Sequence, residues 1–474
     1  MTLRIAHLAS EVVPFSKTGG LADVVGALPP AQAALGHHVM VFAPAHRSSL
    51  AAPVPGARAG EVEALGLTAS VYLHSYRSVE IVLLDCPLLY VRPALYSLPD
   101  GDFPDNALRF AFFARAALAA LRSLGGAEIV HAHDWQAALA PLLLAEDDEV
   151  RELSPSSRTV LTIHTLAYQG LFPPWVMDQC ALPWGMFTPD RLEFYGQVNL
   201  LKGGLVSADA VTTVSPTYAR EILTPEFGCG LEGVLAERSD ALSGILNGLD
   251  LEVWDPAHDD NLPLAYSAAT VAAGKRAARE VLATEAGLAN GGRPLIGMVS
   301  RLAEQKGADL VAAAVAPIVG LGFDLVVLGT GDRRYEEQLR AAELAHPGHV
   351  KLFLAFDEGL AHRIYAASDL FLMPSRYEPC GLGQMSAMRY GSLPVVTRTG
   401  GLADTVIDAE RDAGTGFVLD EPAPEALVAA LTRARAVLAS PDRLSEMRRT
   451  AMAADFSWQA SALRYLALYR SLLR

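Results

Sequence analysis

KTGGLADVV, Lys17 to Val25, follows a short apolar run from Leu3 to Ala9 and precedes a helical pattern from Leu21 to Leu35 that stops at Gly36. The order is strand, glycine turn, helix. Gly19 and Gly20 let backbone approach a ligand with no β-carbon in the way, the helix start behind them draws negative charge, and Lys17 adds a full positive one. A tight turn beside a surface lysine would explain the stretch equally well if it stood alone. It does not: TGGLADTV, Thr399 to Val406, again follows an apolar run (Leu393 to Thr397) and again opens a helix. The near-repeat predicts two halves built alike, each offering a glycine-rich helix start, with a ligand between them.

The length of 474 residues suits two large domains. A composition of 51% hydrophobic and 19% charged residues, without low-complexity tracts, describes a folded chain. The formal charge of −15 argues against nonspecific binding to nucleic acid or an anionic membrane, so phosphate contacts have to come from local basic clusters. Cys86, Cys180, Cys229 and Cys380 are widely spaced and form neither a disulfide framework nor a zinc pattern. The N-terminal run is broken by His7 and Glu11, which fits a buried strand and not a signal peptide, and the apolar helix candidate Ala107 to Leu124 carries three arginines. The expected location is the cytoplasm.

Short apolar runs alternate with helical patterns throughout, the signature of an α/β protein with parallel sheets. His38 to Ala43 is the second strand, Val71 to Cys86 holds two more, and Glu128 to His133, Arg158 to His164 and Ala210 to Val214 complete the first half. Ligands collect at the carboxyl ends of such strands, which singles out His133, Asp134 and His164. Leu166 to Gln197, rich in aromatic residues and proline, reads as a long functional loop with short helices, of a kind on which sugar rings pack. Periodicity vanishes over 246–260, the expected hinge between an N-terminal domain (1–245) and a second one (261–455). In the second half, Pro294 to Ser300, Phe323 to Leu328, Val350 to Leu354, Leu370 to Met373 and Leu393 to Thr397 are strands.

Arg301 and Lys306, in SRLAEQKG directly after a strand, can converge on one diphosphate, the guanidinium through forked hydrogen bonds and the ammonium as a point charge. LGTGD, Leu328 to Asp332, begins like a dinucleotide fingerprint but has Arg334 where the third glycine belongs. Glu378 in SRYEPCGLG can accept hydrogen bonds from sugar hydroxyls or act as acid, base or nucleophile. His131 and His133 share a strand face and invite a metal reading, but no third ligand follows at a recognisable spacing. DGD, Asp100 to Asp102, sits in a proline-flanked loop and reads as a turn.

KTGGLADVVGALP, HAHDWQ, TIHTLAYQG, VTTVSPTYA, LNGLD, SRLAEQKG, LGTGD, SRYEPCGLG and RTGGLADTV, in this order along the whole chain, resemble the bacterial glycogen synthases and related starch synthases. The resemblance implies two Rossmann-like domains around a deep cleft, the GT-B arrangement, with a final helix (456–474) crossing back onto the first domain. It implies retaining transfer of glucose from ADP-glucose to the non-reducing end of an α-1,4-glucan such as glycogen. No cofactor or metal, no nucleic acid and no membrane enters that reaction. Carried over by motif, Lys17, Gly19 and Gly20 meet the donor with Asp23 nearby, Arg301 and Lys306 hold the diphosphate, Glu378 binds the glucose hydroxyls and His164 lies beside the reacting sugar. Gly400 and Gly401 offer backbone N–H groups to phosphate, and Asn247 and Gln305 match positions lining the site. Two positions depart from the family pattern: Thr165 stands for the usual asparagine, and Gln136 for a common histidine.

The mechanism expected on this resemblance breaks the glucosyl–phosphate bond while Arg301 and Lys306 take up the charge. The acceptor hydroxyl attacks the same face, and domain closure excludes water. The rivals are a UDP-glucose hexosyltransferase of the same fold, a glucan phosphorylase, a catalytically silent glucan-binding protein and a Rossmann oxidoreductase. Glucan phosphorylases are much longer chains and need a pyridoxal lysine with no context here. The Arg301 and Lys306 clamp argues against the silent binding protein, and the missing third glycine against the oxidoreductase.

Overall fold

The computed structural model describes residues 2–98, 100–151, 157–289 and 292–474. They form two compact units, one running to Gly248 and taking back Trp458–Arg474, the other comprising Leu249–Ser457.

The first unit is built on a nine-stranded sheet in the order Leu242–Gly244, Ala210–Thr213, Arg158–Ile163, Ile129–His133, Arg4–Leu8, His38–Pro44, Val79–Asp85, Leu67–Tyr76 and Ala57–Ala64. The strands from Leu242–Gly244 to Val79–Asp85 run parallel, with Ile5 opposite both Val39 and Ile129. Buried on both faces, they read as continuous apolar runs rather than alternating ones, as in His38–Pro44, where only His38 is exposed. Each fully buried aliphatic side chain there contributes roughly 1.5–3 kcal/mol relative to exposure.

Two features of this sheet correct the sequence expectation. Val79–Asp85, Leu67–Tyr76 and Ala57–Ala64 form an antiparallel meander, so the sheet is not wholly parallel, and its edge strand has no apolar signal because only Val62 is buried. The turns that close the meander put Leu65 and Gly66, then Arg77 and Ser78, at positive φ. That is the backbone of a tight two-residue hairpin, and in the second turn no glycine advertises it. At the other edge Leu242–Gly244 pairs with Ala210–Thr213, which is therefore not the last strand of this half.

The segment expected to be loop and short helix also holds sheet. Leu171–Phe172 and Glu193–Phe194 flank Gln197–Asn199 in a small antiparallel sheet, with the helix Val176–Gln179 inserted. Runs of two or three residues carry no periodicity to read. The DGD stretch is a hairpin, with Ser97–Leu98 against Gly101–Asp102, and Pro99 of that loop lies outside the described residues.

The helix Trp458–Leu472 completes the first unit from the far end of the chain. Trp458, Ala462, Tyr465, Leu466 and Tyr469 join Leu21, Val24, Val25 and Leu28 of the helix Gly20–Ala34 in one core. Ser461 Oγ donates to the Leu246 carbonyl at 2.5 Å, and a β-carbon at Gly248 would collide with the Trp458 backbone.

The second unit carries a six-stranded, wholly parallel sheet in the order Val350–Phe353, Asp324–Leu328, Leu295–Val299, Leu370–Met373, Leu393–Thr397 and Phe417–Leu419. Order reversal at Leu295–Val299 makes the ends of Leu295–Val299 and Leu370–Met373 the switch point, where ligands sit in such sheets. Among the described residues no helix is long and apolar enough to cross a membrane.

Candidate active site

In the second unit, two connections leave the switch point and meet. The strand Leu295–Val299 runs into Arg301, the single 3-10 turn Glu304–Lys306 and Gly307, which holds φ +71 and packs so tightly on the Pro374 carbonyl that a β-carbon would overlap it. Leu370–Met373 runs into the loop carrying Glu378. Lys306 Nζ donates to Glu378 Oε2 at 2.5 Å, and Ser375 Oγ reaches the same oxygen at 3.3 Å. Gln305 is the tie between the connections: its Oε1 accepts from Arg301 Nη2 at 3.0 Å, its Nε2 faces the Tyr377 carbonyl at 3.4 Å, and its carbonyl accepts from Arg376 N–H at 2.9 Å. Arg376 itself is turned to Asp309 in a two-pronged ion pair of 2.8 and 2.7 Å. Arg301 is exposed, and Glu378 is 6% exposed.

Gly400 and Gly401 lie under the same loop. β-carbons there would overlap the carbonyls of Glu378 and Cys380, and Gly401 N–H points at the Glu378 and Pro379 carbonyls, each at 3.2 Å. These glycines are required by close packing of the helix start on the Glu378 loop. The glycines of LGTGD have a similar cause, since Gly329 and Gly331 pack on the carbonyls of Ser300 and Leu302. That turn holds SRL in place and is not shaped as a dinucleotide cradle.

The first unit presents the other half of the predicted residues. Gly19 caps the helix Gly20–Ala34 in an extended conformation, and neither glycine has an atom within 4 Å of where its β-carbon would stand. Two copies of TGGLAD thus use their glycines for opposite reasons, the second to admit protein backbone, the first with open space beside it. Lys17 Nζ pairs with Asp23 Oδ1 at 2.7 Å, both side chains more than a third exposed. Glu11, which no motif pointed to, pins this turn: it accepts from Thr18 N–H at 2.5 Å, from the Thr18 hydroxyl at 2.9 Å and from the Tyr96 hydroxyl at 2.9 Å.

His164 ends the strand Arg158–Ile163 and is 8% exposed. Its backbone N–H donates to Asp134 Oδ1 at 2.7 Å, and Asp134 occupies the left-handed region at φ +54 to reach it. Burial pushes the Asp134 carboxyl up to about 7, against the lowering effect of hydrogen bonds from the His164 and Thr165 backbone, with Glu11 adding a further upward push. Asn247 is buried, and its Oδ1 has no hydrogen-bond partner among the described residues. The same holds for Oε1 of Gln136, one of the two departures from the family pattern.

The third ligand missing from the metal reading of His131 and His133 stands on the neighbouring strand. Nitrogens of His7, His131 and His133 lie within 4.8 Å of one another. All six ring nitrogens are already hydrogen-bonded, however, and the 2.9 Å contact between His7 Nδ1 and His133 Nε2 needs a proton where a shared metal would have to be. The cluster is a hydrogen-bonded chain.

Of the segment Leu166 to Gln197, Tyr168, Trp175, Trp184 and Tyr195 stand at the surface with more than half of their area exposed. The described residues thus place Arg301, Gln305, Lys306, Glu378, Gly400 and Gly401 on one unit. Lys17, Gly19, Gly20, Asp23, His164 and Asn247 lie on the other.

A family model of the starch synthase catalytic domain matches residues 4–237, and one of glycosyl transferases group 1 matches residues 283–451. The chain is 47% identical to a glycogen synthase of Anaeromyxobacter dehalogenans over 99% of its own length and 100% of the relative's. It is 44% identical to glycogen synthase 2 of Geobacter sulfurreducens over 99% and 98% of the two lengths. Among solved structures, the catalytic domain of starch synthase IV from Arabidopsis thaliana, bound to ADP and acarbose, superposes with a TM-score of 0.89 at 32% identity, covering 100% of both chains. A sucrose-phosphate synthase from Thermosynechococcus elongatus, at 22% identity, TM-score 0.63 and 99% coverage of both chains, shares the fold.

Proposed function

The chain belongs to the glycogen synthase family, of GT-B fold, and on that premise we propose that it transfers glucose from ADP-glucose to the non-reducing end of an α-1,4-glucan with retention of configuration, extending glycogen. The observation that carries the reading is the Lys306–Glu378 pair at the switch point of the second sheet, with Arg301 held beside it by Gln305.

In this reading the diphosphate takes Arg301 and Lys306, and Glu378, released from Lys306, takes hydroxyls of the glucose. The bond from the anomeric carbon to the β-phosphate oxygen breaks and its electron pair stays on that oxygen, where the two cations stabilise it. The acceptor hydroxyl adds to the anomeric carbon from the face the phosphate leaves, and its proton passes to the departing phosphate oxygen. Positive charge for the leaving group comes from side chains, so the proposal includes neither metal nor cofactor. Lys17, Gly19, Gly20 and Asp23 meet the donor at the open helix start, Asn247 offers an oxygen that has no partner among the described residues, and His164 contacts the sugar. Gly400 and Gly401 differ from the expectation of phosphate contacts: they seat the helix start on the Glu378 loop, and Gly401 N–H is taken by the Glu378 and Pro379 carbonyls. Exposed rings at Tyr168, Trp175, Trp184 and Tyr195 support a glucan as acceptor. We place the reaction in the cytoplasm, in keeping with four cysteines that no disulfide joins among the described residues, and give nucleic acid and membrane no part in it.

The test is nucleotide release from ADP-glucose and UDP-glucose, with and without glycogen, by the wild type and Lys306→Ala. Glycogen-dependent ADP release that collapses in the variant is expected. Preference for UDP-glucose would change the donor, and no release from either sugar would make the protein a glucan binder.

A further inference from the structure

The strand Arg4–Leu8 lies between His38–Pro44 and Ile129–His133, so that His7 stands in register with His131 on its neighbour. From there a row of hydrogen bonds runs toward His164. His7 Nε2 meets Gln32 Oε1 at 2.8 Å, His7 Nδ1 meets His133 Nε2 at 2.9 Å, and His133 Nδ1 meets His164 Nε2 at 3.0 Å. Gln32, His7 and His133 are wholly buried.

A neutral imidazole has one N–H and one lone pair. In a row of neutral rings bonded ring to ring, all the protons therefore point the same way, and fixing one end fixes the other. Burial keeps these rings neutral, lowering His7 to about 4, His164 to about 3, and His133 and His131 well below the usual histidine value.

The fixed end is Gln32. Its carbonyl oxygen faces His7, while its amide nitrogen faces the Tyr469 hydroxyl at 3.3 Å. His7 must then donate from Nε2, which makes its Nδ1 an acceptor. His133 in turn donates from Nε2, and so does His164. Tyr469 carries the same direction into a second branch, at 2.7 Å from His131 Nδ1, with His131 Nε2 2.6 Å from Thr162 Oγ1 and that hydroxyl 2.6 Å from Thr212 Oγ1. What remains at the end of the main row is His164 Nδ1 as a bare lone pair, with no hydrogen-bond partner among the described residues.

We infer that Gln32 is a positioning residue that acts through His7 and His133 to hold His164 as the Nε2–H tautomer, so that His164 Nδ1 accepts a hydrogen bond from a hydroxyl of the bound sugar. The sugar contact rests on the proposed function; the tautomer does not. An acceptor at that point obliges the hydroxyl to donate, so the direction of its O–H bond is set from the interior of the sheet.

Nitrogen NMR of the full-length protein labelled in histidine tests this, with His164 assigned by the signals lost in His164→Gln. The expected wild-type spectrum, without substrate, shows a protonated, pyrrole-type Nε2 and an unprotonated, pyridine-type Nδ1 at His164. Gln32→Met removes the acceptor, and both His164 nitrogens then move to averaged positions. With about half of the molecules in the wrong tautomer, kcat/KM for ADP-glucose falls about twofold or more. A protonated Nδ1 in the wild type overturns the inference, and so do His164 signals in Gln32→Met that match the wild type. Added ADP-glucose should shift Nδ1 toward the hydrogen-bonded position; an unmoved Nδ1 in a protein that releases ADP overturns the sugar contact. Failure of the functional reading itself shows separately, as absence of nucleotide release while the tautomer is as expected.

Discussion

Lys306 Nζ stands 2.5 Å from Glu378 Oε2, with the lysine side chain 23% and the glutamate side chain 7% exposed. Among the described residues the hydrogen-bond partners of this little-exposed carboxylate are Lys306 and Ser375. Any anion that draws Lys306 away must therefore be accompanied by a new donor for Glu378, and a hydroxylated sugar attached to a diphosphate supplies both at once. Removing the cation leaves a buried charge unpaired, which costs about 3–5 kcal/mol.

Lys306→Ala should accordingly lose activity and stability together, with kcat down by about 10²–10³ if the lysine stabilises the leaving phosphate. Glu378→Gln separates the effects. It removes the buried charge and keeps the shape, so its melting temperature should stay near the wild type's while ADP release falls steeply. Equal thermal losses in both variants would contradict the assignment of charge.

Asp134 sets a pH dependence of stability. Its folded-state carboxyl lies near 7, against roughly 3.9 in an unfolded chain, so the folded form binds the extra proton between those values. The stabilisation this gives is complete below about pH 4 and is lost as pH rises through about 7. Asp134→Asn can keep φ +54 and the bond from His164 N–H, and has no charge to bury. Urea unfolding from pH 4 to pH 8, chosen to span those values, should show the wild type weakening relative to the variant as pH rises. A constant difference would mean that Asp134 is ionised throughout.

The glycine pairs should answer substitution differently. Gly20→Ala places a β-carbon in open space at a helix start and should leave the melting temperature unchanged or raise stability by up to about 1 kcal/mol, while KM for ADP-glucose rises. Gly401→Ala drives a β-carbon into the Cys380 carbonyl and should destabilise the second unit even without substrate. Thermal melts of the two apo variants separate them directly.

Asn247→Ala removes a buried oxygen that has no partner among the described residues, so folding has little to lose and can gain about 1–3 kcal/mol of desolvation cost. If that oxygen serves the donor, kcat/KM falls while the melting temperature holds or rises. Unaltered kinetics would remove Asn247 from the site.

Sequence windows revealed what local pattern encodes. The strand ends at Val299 and Met373, the glycine turns and the His164 strand are all read from apolar runs bounded by punctuation. Ala57–Ala64 escaped because an exposed edge strand buries too little to show a period. Glu11 escaped because its partner Tyr96 is distant in sequence, and His7 because its neighbours His131 and His133 lie on another strand. The opposite packing of the two TGGLAD copies was equally hidden: identical letters meet Glu378 in one place and open space in the other.

The chain order of the two units has a consequence for synthesis. Leu249–Ser457 is contiguous, so it can close as soon as it has emerged from the ribosome. The first unit needs Trp458, Tyr465 and Tyr469 to fill its core, and these are made only after the whole second unit. Its half-built surface has to wait through the translation of more than two hundred residues, and a chain that stopped at Ser457 would strand the half made earlier.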